Sequence, residues 1–169
     1  GESASAEEVI AVLERFYASV GEVATEFGGT IKDFAGDGIL VLVGAPIAYP
    51  DHVARAVTMG VRLSDRISAL LRRWPPLGVG VGVATGAVTV GAIGGDARLE
   101  YAAVGRAVNL ASRLCARAEA GQVLVDERVA EACPGSARFE RLEAVELKGF
   151  SAPVPVFALR TAVLEERTA

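Results

Sequence analysis

The stretch "TIKDFAGDGILVL", residues 30–42, places Asp37 between two glycines and between two apolar runs. An Asp-Gly pair flanked by such runs is typical of a β-hairpin, here with strands near residues 30–34 and 39–43. The aspartate has two interpretations. It can serve turn geometry alone, or the glycines can let a metal-bound phosphate approach the backbone while Asp37 holds the cation. The tripeptide alone leaves both open.

The composition is that of a globular protein. The chain has 169 residues, of which 51% are hydrophobic and 22% charged, and this predicts a single domain over residues 1–169. The formal net charge is -4, and the basic residues are interspersed with acidic ones rather than clustered. This pattern argues against a nucleic-acid partner.

Cysteine usage predicts the cellular setting. Cys115 and Cys133 are too few for a disulfide framework and are not spaced as a metal-binding pair, so both are expected to be small apolar packing residues. A reducing, cytoplasmic location follows, either for a free protein or for the cytosolic domain of a larger or membrane-anchored one. Gly1 in place of Met indicates a processed or excised fragment.

The uncharged segment "WPPLGVGVGVATGAVTVGAIGG", residues 74–95, resembles a membrane span at first sight. Its glycines and valines alternate with a period of two, and Thr85-Gly86 interrupts the run. The segment is therefore predicted to be a hairpin of two strands buried in a sheet, and we expect no membrane segment in this chain.

The remaining elements follow from capping and periodicity. A helix is predicted from about residue 6 to 27, with a capping box at Ser5 and Glu8. A second helix, capped by Asp51, runs to about residue 72. Further elements are a strand in "RLEYAAV", a helix over residues 105–120, a strand, a short helix and two closing strands within residues 137–159. The apolar face of the first helix comprises Val9, Leu13, Phe16, Val20, Val23 and Phe27, and that of the second comprises Ala54, Val57, Val61 and Ile67.

This order predicts an α+β sandwich. It matches a ferredoxin-like βαββαβ core whose first strand lies before residue 1, followed by a C-terminal βαββ extension. Two polar features stand out from this frame. The chain has only two lysines, Lys32 and Lys148. Asn109 and Arg113 are four residues apart, which puts them on one face of the predicted helix.

Taken together, these blocks resemble the catalytic domain of the class III adenylate and guanylate cyclases. The matching segments are "ESASAEEVIAVLERFYASV", "GGTIKDFAGDGILVLVGAP", "DHVARAVTMGVRL", "GVGVATGAVTVGAIGGDARLEYAAVGRAVNLASRL", "GQVLVDERV" and "LKGFSAPVPVFAL". The resemblance implies a homodimeric enzyme, a phosphorus-oxygen lyase. In the implied reaction, the ribose 3′-hydroxyl of a nucleoside triphosphate attacks its own α-phosphorus and pyrophosphate is released. Two Mg²⁺ or Mn²⁺ ions are implied at each site.

The resemblance also assigns roles to residues. Asp37 becomes one of two metal carboxylates, and the second lies upstream of Gly1. Asn109 orients the ribose, Arg113 stabilises charge on the α-phosphate, and Lys148 binds the terminal phosphates. The metal ligands come from one subunit and the other three residues from its partner.

The purine pocket departs from the family pattern. Adenylate cyclases usually have Lys four residues before the hairpin Asp, and Asp or Thr seven residues before the Asn. This chain has Asp33 and Ala102 there. Asp33 is chemically closer to the Glu of guanylate cyclases. Lys32 is adjacent, but neighbouring strand residues point to opposite faces, so it can substitute only after a register slip.

The sequence therefore leaves three interpretations open. ATP is favoured as the substrate because bacterial members mostly make cyclic AMP, and a guanylate cyclase or a cyclase of loose base selection is the alternative. A third interpretation is a catalytically inactive cyclase-homology module that dimerises or senses nucleotides.

Overall fold

The computed structural model describes residues 4–35, 38–75, 77–96, 98–133, 135 and 137–162, with the backbone alone at 33–35, 98–100, 161 and 162. It confirms a mixed α+β fold with the predicted element order. The elements are α1 (Ala6–Glu26), β1 (Thr30–Ala35), β2 (Gly38–Leu42), α2 (His52–Leu70) with a 3-10 turn (Leu71–Arg73), β3 (Val81–Val83), β4 (Thr89–Gly95), β5 (Arg98–Val104), α3 (Arg106–Arg117), β6 (Val123–Asp126), α4 (Glu127–Ala132), β7 (Ala137–Arg141) and β8 (Val156–Ala162).

Helix α1 begins as its sequence predicts. The Glu8 N–H donates to Ser5 Oγ at 3.2 Å, and the Ser5 N–H donates to Glu8 Oε2 at 2.8 Å, which completes the capping box. The predicted apolar face is buried only further along, where Val20 and Val23 are 4% and 0% exposed. The prediction was wrong for Val9 and Leu13, which are 47% and 45% exposed, because the side of α1 that packs on the core here runs through Val12 and Phe16.

The hairpin between β1 and β2 is confirmed. Its strands pair antiparallel with Ala35 opposite Gly38, and residues 36 and 37 lie outside the described part of the chain. The register shifts between Ile31 and Asp33, which pair with Val41 and Leu40. Lys32 is therefore the extra residue of a β-bulge, and a bulge changes which face of a strand the following residues occupy.

Helix α2 buries a different set of residues from the predicted one. Val57 and Ile67 are buried as expected, but Gly60 and Ser64 lie between them on the buried face and Val61 is only half-buried. A Cβ on Gly60 would lie 3.2 Å from Val81 Cγ1, so a small residue lets α2 approach β3 closely. Ser64 Oγ donates to the Gly121 carbonyl at 3.1 Å, which satisfies its buried hydroxyl.

The predicted capping of α2 by Asp51 is also corrected. The side chain of Asp51 makes no capping hydrogen bond to the helix N-terminus. Its carboxylate instead accepts from Arg55 Nε at 2.8 Å, one helical turn further on. A single carboxylate oxygen is thus held by a guanidinium, which is a stronger charge-assisted partner than a backbone N–H.

The predicted hairpin over residues 74–95 was wrong. Both strands exist, but β3 pairs in parallel with β6, within a sheet of order β3-β6-β8-β7, and β4 pairs antiparallel with β5. Strand β4 is also largely exposed. A period of two predicts a strand but carries no information on its partner, which here comes from a distant part of the chain.

Gly82 of this segment lies against α3. A Cβ on Gly82 would lie 2.4 Å from both the Ala111 carbonyl oxygen and the Cys115 nitrogen. Only glycine therefore allows the α3 backbone to approach β3 this closely. Val83, on the opposite side of the strand, packs with Val57 of α2.

The C-terminal part forms the predicted βαββ extension. Helix α3 ends at Arg117, earlier than predicted, because Ala118 is extended with ψ 135°. The two closing strands are β7 and β8, with a loop between them that is bridged at Val145 and Val154. Cys133 packs in the core as expected, whereas Cys115 is exposed and its thiol lies 3.4 Å from the Gly80 carbonyl, so that prediction was wrong.

Candidate active site

Helix α3 presents the two polar residues that its sequence predicts on one face. Asn109 and Arg113 are both exposed, one turn apart. Their neighbours Leu110 and Leu114 are buried, with 7% and 0% exposure. The helix is therefore fixed by its leucines, and the two polar side chains project from its exposed side.

The first turn of α3 is held by close backbone contacts. The Asn109 N–H donates to the Gly105 carbonyl at 3.3 Å, which closes the first helical turn. A Cβ on Gly105 would lie 2.6 Å from the Ala87 carbonyl oxygen, and a Cβ on Gly86 would lie 3.3 Å from Ala107 Cβ. The loop between β3 and β4 thus fixes where the helix starts and, through it, where Asn109 lies.

Lys148 lies in a turn between β7 and β8. The Phe150 N–H donates to the Leu147 carbonyl at 3.1 Å, and Gly149 has a φ of 90°, in the left-handed region that favours glycine. Leu147 is 9% exposed, whereas Lys148 itself is exposed. The turn is therefore anchored by one buried side chain and presents the lysine to solvent.

One hydrophobic cluster supports all three of these polar residues. Leu110, Leu114 and Leu147 belong to the same buried cluster, and each is next in sequence to one of them. The structure thereby places Asn109, Arg113 and Lys148 on elements that share one core. Their roles stay predictions from the resemblance.

The hairpin that carries Asp37 rests on a different part of the core. Ile31, Ile39 and Val41 pack with residues of α1 and α2 rather than with α3. Asp37 itself lies outside the described residues, so its predicted proximity to a metal stays a prediction. The two groups of predicted site residues are thus mounted on separate clusters of one chain.

The two purine-pocket positions lie on strands that touch. Asp33 pairs with Leu40 in β1, and half-buried Ala102 pairs with Gly91 in β5. Strands β1 and β5 contact each other, which brings the two positions to neighbouring elements. Lys32 lies at the bulge of β1, directly before Asp33.

Neither a metal cluster nor a membrane helix is found in the described part of the chain. No group of three His, Cys, Asp or Glu side chains there could hold a metal ion. Among the described helices, none combines the length and the apolar character that crossing a membrane requires.

Asp126 is a buried acid that the sequence analysis did not identify. Asp126 is 5% exposed at the end of β6, and its Oδ1 accepts from the Val129 N–H at 3.1 Å as the cap of α4. Burial raises the pKa of the Asp126 carboxyl above its ordinary value, while the hydrogen bond from Val129 opposes that rise. An acid directly before a short helix was the signal that could have identified it.

Solved structures show the same fold. The crystal structure of the adenylyl cyclase CyaB from P. aeruginosa matches with a TM-score of 0.87 and 30% identity, covering 94% of this chain and 85% of that one. The crystal structure of the guanylyl cyclase Cya2 matches with a TM-score of 0.87 and 33% identity, covering 98% and 86%. The fold is therefore that of a nucleotide cyclase catalytic domain.

The chain belongs to the adenylate and guanylate cyclase catalytic domain family of class III, whose family model matches residues 2–161. Members of this family generally use divalent metal ions. Adenylate cyclase 1 of Rhizobium meliloti (strain 1021) is 30% identical over 163 residues, which cover 92% of this chain and 24% of that protein. The chain spans about a quarter of the length of the curated relatives that it matches.

Proposed function

We propose that this domain converts ATP to 3′,5′-cyclic AMP and pyrophosphate at the interface of a homodimer. The observation that carries this proposal is the shared support of Asn109, Arg113 and Lys148 by one buried cluster. A cyclisation site needs a side chain that binds the ribose, a cationic side chain at the reacting phosphorus and another at the leaving phosphates. These three side chains must be held at fixed relative positions. The shared cluster supports such a relation for these three residues.

Each residue has a proposed role in the reaction. The ribose O3′ forms a bond to the α-phosphorus, the bond from that phosphorus to pyrophosphate breaks, and the hydroxyl proton is released. The Asn109 amide holds the ribose, and the Arg113 guanidinium faces the charge on the α-phosphate in the transition state. Lys148 binds the terminal phosphates as a compact point charge and stabilises the leaving pyrophosphate.

Asp37 is proposed as a ligand of Mg²⁺ or Mn²⁺. Bound ions of this kind lower the pKa of the ribose hydroxyl and neutralise the phosphates. The β1–β2 hairpin packs on a different hydrophobic cluster from that of α3. This supports a site that is divided between two subunits. In a two-fold dimer, the hairpin of one subunit then serves the α3 face of its partner.

The preference for ATP rests on Lys32. Its place at the bulge of β1 makes a lysine available near the position where adenylate cyclases hold one. Such a lysine donates a hydrogen bond to adenine N1. Guanine cannot accept this hydrogen bond, because its N1 carries a hydrogen. Asp33 supports the alternative, a guanylate cyclase or a cyclase of loose base selection, since a carboxylate can accept from guanine.

The test is incubation of the full-length protein with ATP or GTP and Mn²⁺, with the product identified by mass spectrometry. We expect cyclic AMP from ATP, at a higher kcat/KM than cyclic GTP from GTP, and neither product from Arg113→Ala. Formation of cyclic GTP in excess would favour the guanylate alternative. Nucleotide binding without any cyclic product would identify an inactive nucleotide-sensing module and overturn the proposal.

A further inference from the structure

The first residue of α3 contacts the turn that carries Lys148. The guanidinium carbon of Arg106 lies 4.7 Å from the centroid of the Phe150 ring. This is within the range of a cation–π interaction, in which the positive charge lies over the negative face of the ring. Arg106 is exposed, and Phe150 is half-buried against the cluster that contains Leu110 and Leu147.

Arg106 also shares a helix face with the proposed catalytic residues. It precedes Asn109 by one turn and Arg113 by two turns, so the three side chains lie along one stripe of α3. The contact with Phe150 therefore runs from the stripe that carries Asn109 and Arg113 to the turn that carries Lys148.

The turn has two anchors with Lys148 between them. Leu147 is buried on one side, and the Phe150 ring lies under Arg106 on the other. Between them, Gly149 adopts a left-handed conformation and makes the backbone easy to redirect. Loss of the Arg106 contact leaves the Phe150 end of the turn held only by the packing of its ring against the core cluster.

We propose that Arg106 is a positioning residue that, through the ring of Phe150, holds the turn Leu147–Phe150 against α3 and so sets where Lys148 lies relative to Asn109 and Arg113. The inference rests on the proposed function for the roles of those three residues. The contact itself belongs to the described structure. Arginine suits the task because its planar guanidinium stacks on a ring while its charge stays in water.

A direct test observes Lys148 itself. Because the 169-residue chain has only two lysines, reductive ¹³C-methylation of this chain places few signals in an NMR spectrum, and Lys32→Arg assigns them. We expect Arg106→Ala to shift and narrow the Lys148 signal, as for a more mobile side chain, and to leave the Lys32 signal in place. Phe150→Leu, which keeps an apolar contact with the core, should have the same effect.

Arg62→Ala is the matched control. The Arg62 guanidinium lies 5.7 Å from the centroid of the Phe27 ring on the α1–α2 side of the molecule. Its loss removes the same kind of contact, together with an ion pair to Glu26, from another surface and should leave the Lys148 signal unchanged. Circular dichroism confirms that each variant is folded, and Arg106→Gln replaces Arg106→Ala if the alanine variant does not fold.

Kinetics give the second measurement. Removal of a cation–π contact at an exposed site changes an equilibrium by about twofold to fivefold. We expect Arg106→Ala to raise KM for the nucleoside triphosphate, and the inhibition constant of pyrophosphate, by about that factor, with a smaller change in kcat. Combining Arg106→Ala with Phe150→Leu should add little, since both remove one contact.

An unchanged Lys148 signal in a folded Arg106 variant overturns the inference, whatever the turnover. A shifted Lys148 signal in a protein that makes no cyclic nucleotide leaves the positioning role intact and contradicts the proposed function instead. An equal effect of Arg62→Ala and Arg106→Ala on the Lys148 signal would mean that general loosening, not this contact, moves the turn, and it also overturns the inference.

Discussion

Leu110 of α3 and Leu147 of the loop before β8 belong to one buried cluster and are 7% and 9% exposed. Each leucine is next in sequence to an exposed polar residue, Asn109 and Lys148. Because the backbone spacing between neighbouring residues is fixed, the packing of the two leucines limits how far the two polar residues can separate.

The first prediction removes that packing. Leu147→Ala should lower the free energy of unfolding by about 2–5 kcal/mol, as is typical for a buried leucine, and should raise KM for the triphosphate by loosening the lysine turn. Urea denaturation and steady-state kinetics measure the two effects. Leu77→Ala is the control, because Leu77 is 56% exposed and its loss should change stability by about 0.5 kcal/mol or less. Equal effects of the two variants would contradict the burial of Leu147.

The second prediction concerns the contact between β3 and α3. Gly82→Ala should destabilise the fold by about 1–3 kcal/mol or more, since the added Cβ meets backbone atoms of α3 at 2.4 Å. Gly21→Ala is the matched control within α1, where an added Cβ meets nothing within 4 Å. It should stabilise the protein by about 0.5–1 kcal/mol through helix propensity. Thermal unfolding should therefore show changes of opposite sign in the two variants, and an unchanged or raised stability of Gly82→Ala would refute the close approach.

The third prediction tests the divided site. In the full-length protein, Asp37→Asn and Arg113→Ala should each be nearly inactive and still folded. Mixing the two variants should restore activity, because a heterodimer keeps one site with both residues intact. Random reassortment makes about half the dimers heterodimers with one working site each, hence about a quarter of the wild-type activity. If verified subunit exchange restores nothing, both residues serve one site from one chain.

The fourth prediction separates the two candidate base-reading residues. Lys32→Ala should lower the ratio of kcat/KM for ATP to that for GTP, and Asp33→Lys should raise it, each by about tenfold, because a base-edge hydrogen bond discriminates by about 1–3 kcal/mol. Competition assays with both nucleotides measure the ratio. A ratio that responds to Asp33 and not to Lys32 would show that the bulge does not bring the lysine into the pocket.

The fifth prediction follows from the buried Asp126. Its folded pKa lies above the ordinary value of 3.8, so the folded state holds the proton to higher pH than the unfolded state does. The stability that this group contributes is therefore fully present below pH 3.8, and it declines as the pH rises through the folded pKa. Asp126→Asn keeps an oxygen that can accept from Val129 and should not show this decline.

That prediction is checked by urea denaturation of the wild type and of Asp126→Asn, measured below pH 3.8 and near neutral pH. The asparagine variant should gain stability relative to the wild type as the pH rises. Asp126→Ala removes the cap and should be less stable than Asp126→Asn at every pH, by about 0.5–2 kcal/mol. A stability difference between wild type and Asp126→Asn that does not change with pH would contradict the raised pKa.

The sequence by itself determined the features that depend on neighbouring residues. The capping box at Ser5, the hairpin of β1 and β2, the order of helices and strands and the polar face of α3 were all predicted, because caps, turns and periods are encoded within a few residues. The family resemblance supplied the proposed roles of Asn109, Arg113 and Lys148.

Tertiary structure decided the rest. The partner of β3, the exposure of Val9 and Leu13, the burial of Ser64 and Asp126 and the bulge at Lys32 were not evident from the sequence. Each depends on which distant segment packs against the residue in question. A periodic pattern fixes the kind of element and its apolar face, whereas the partner and depth of burial are set by contacts between residues far apart in the chain.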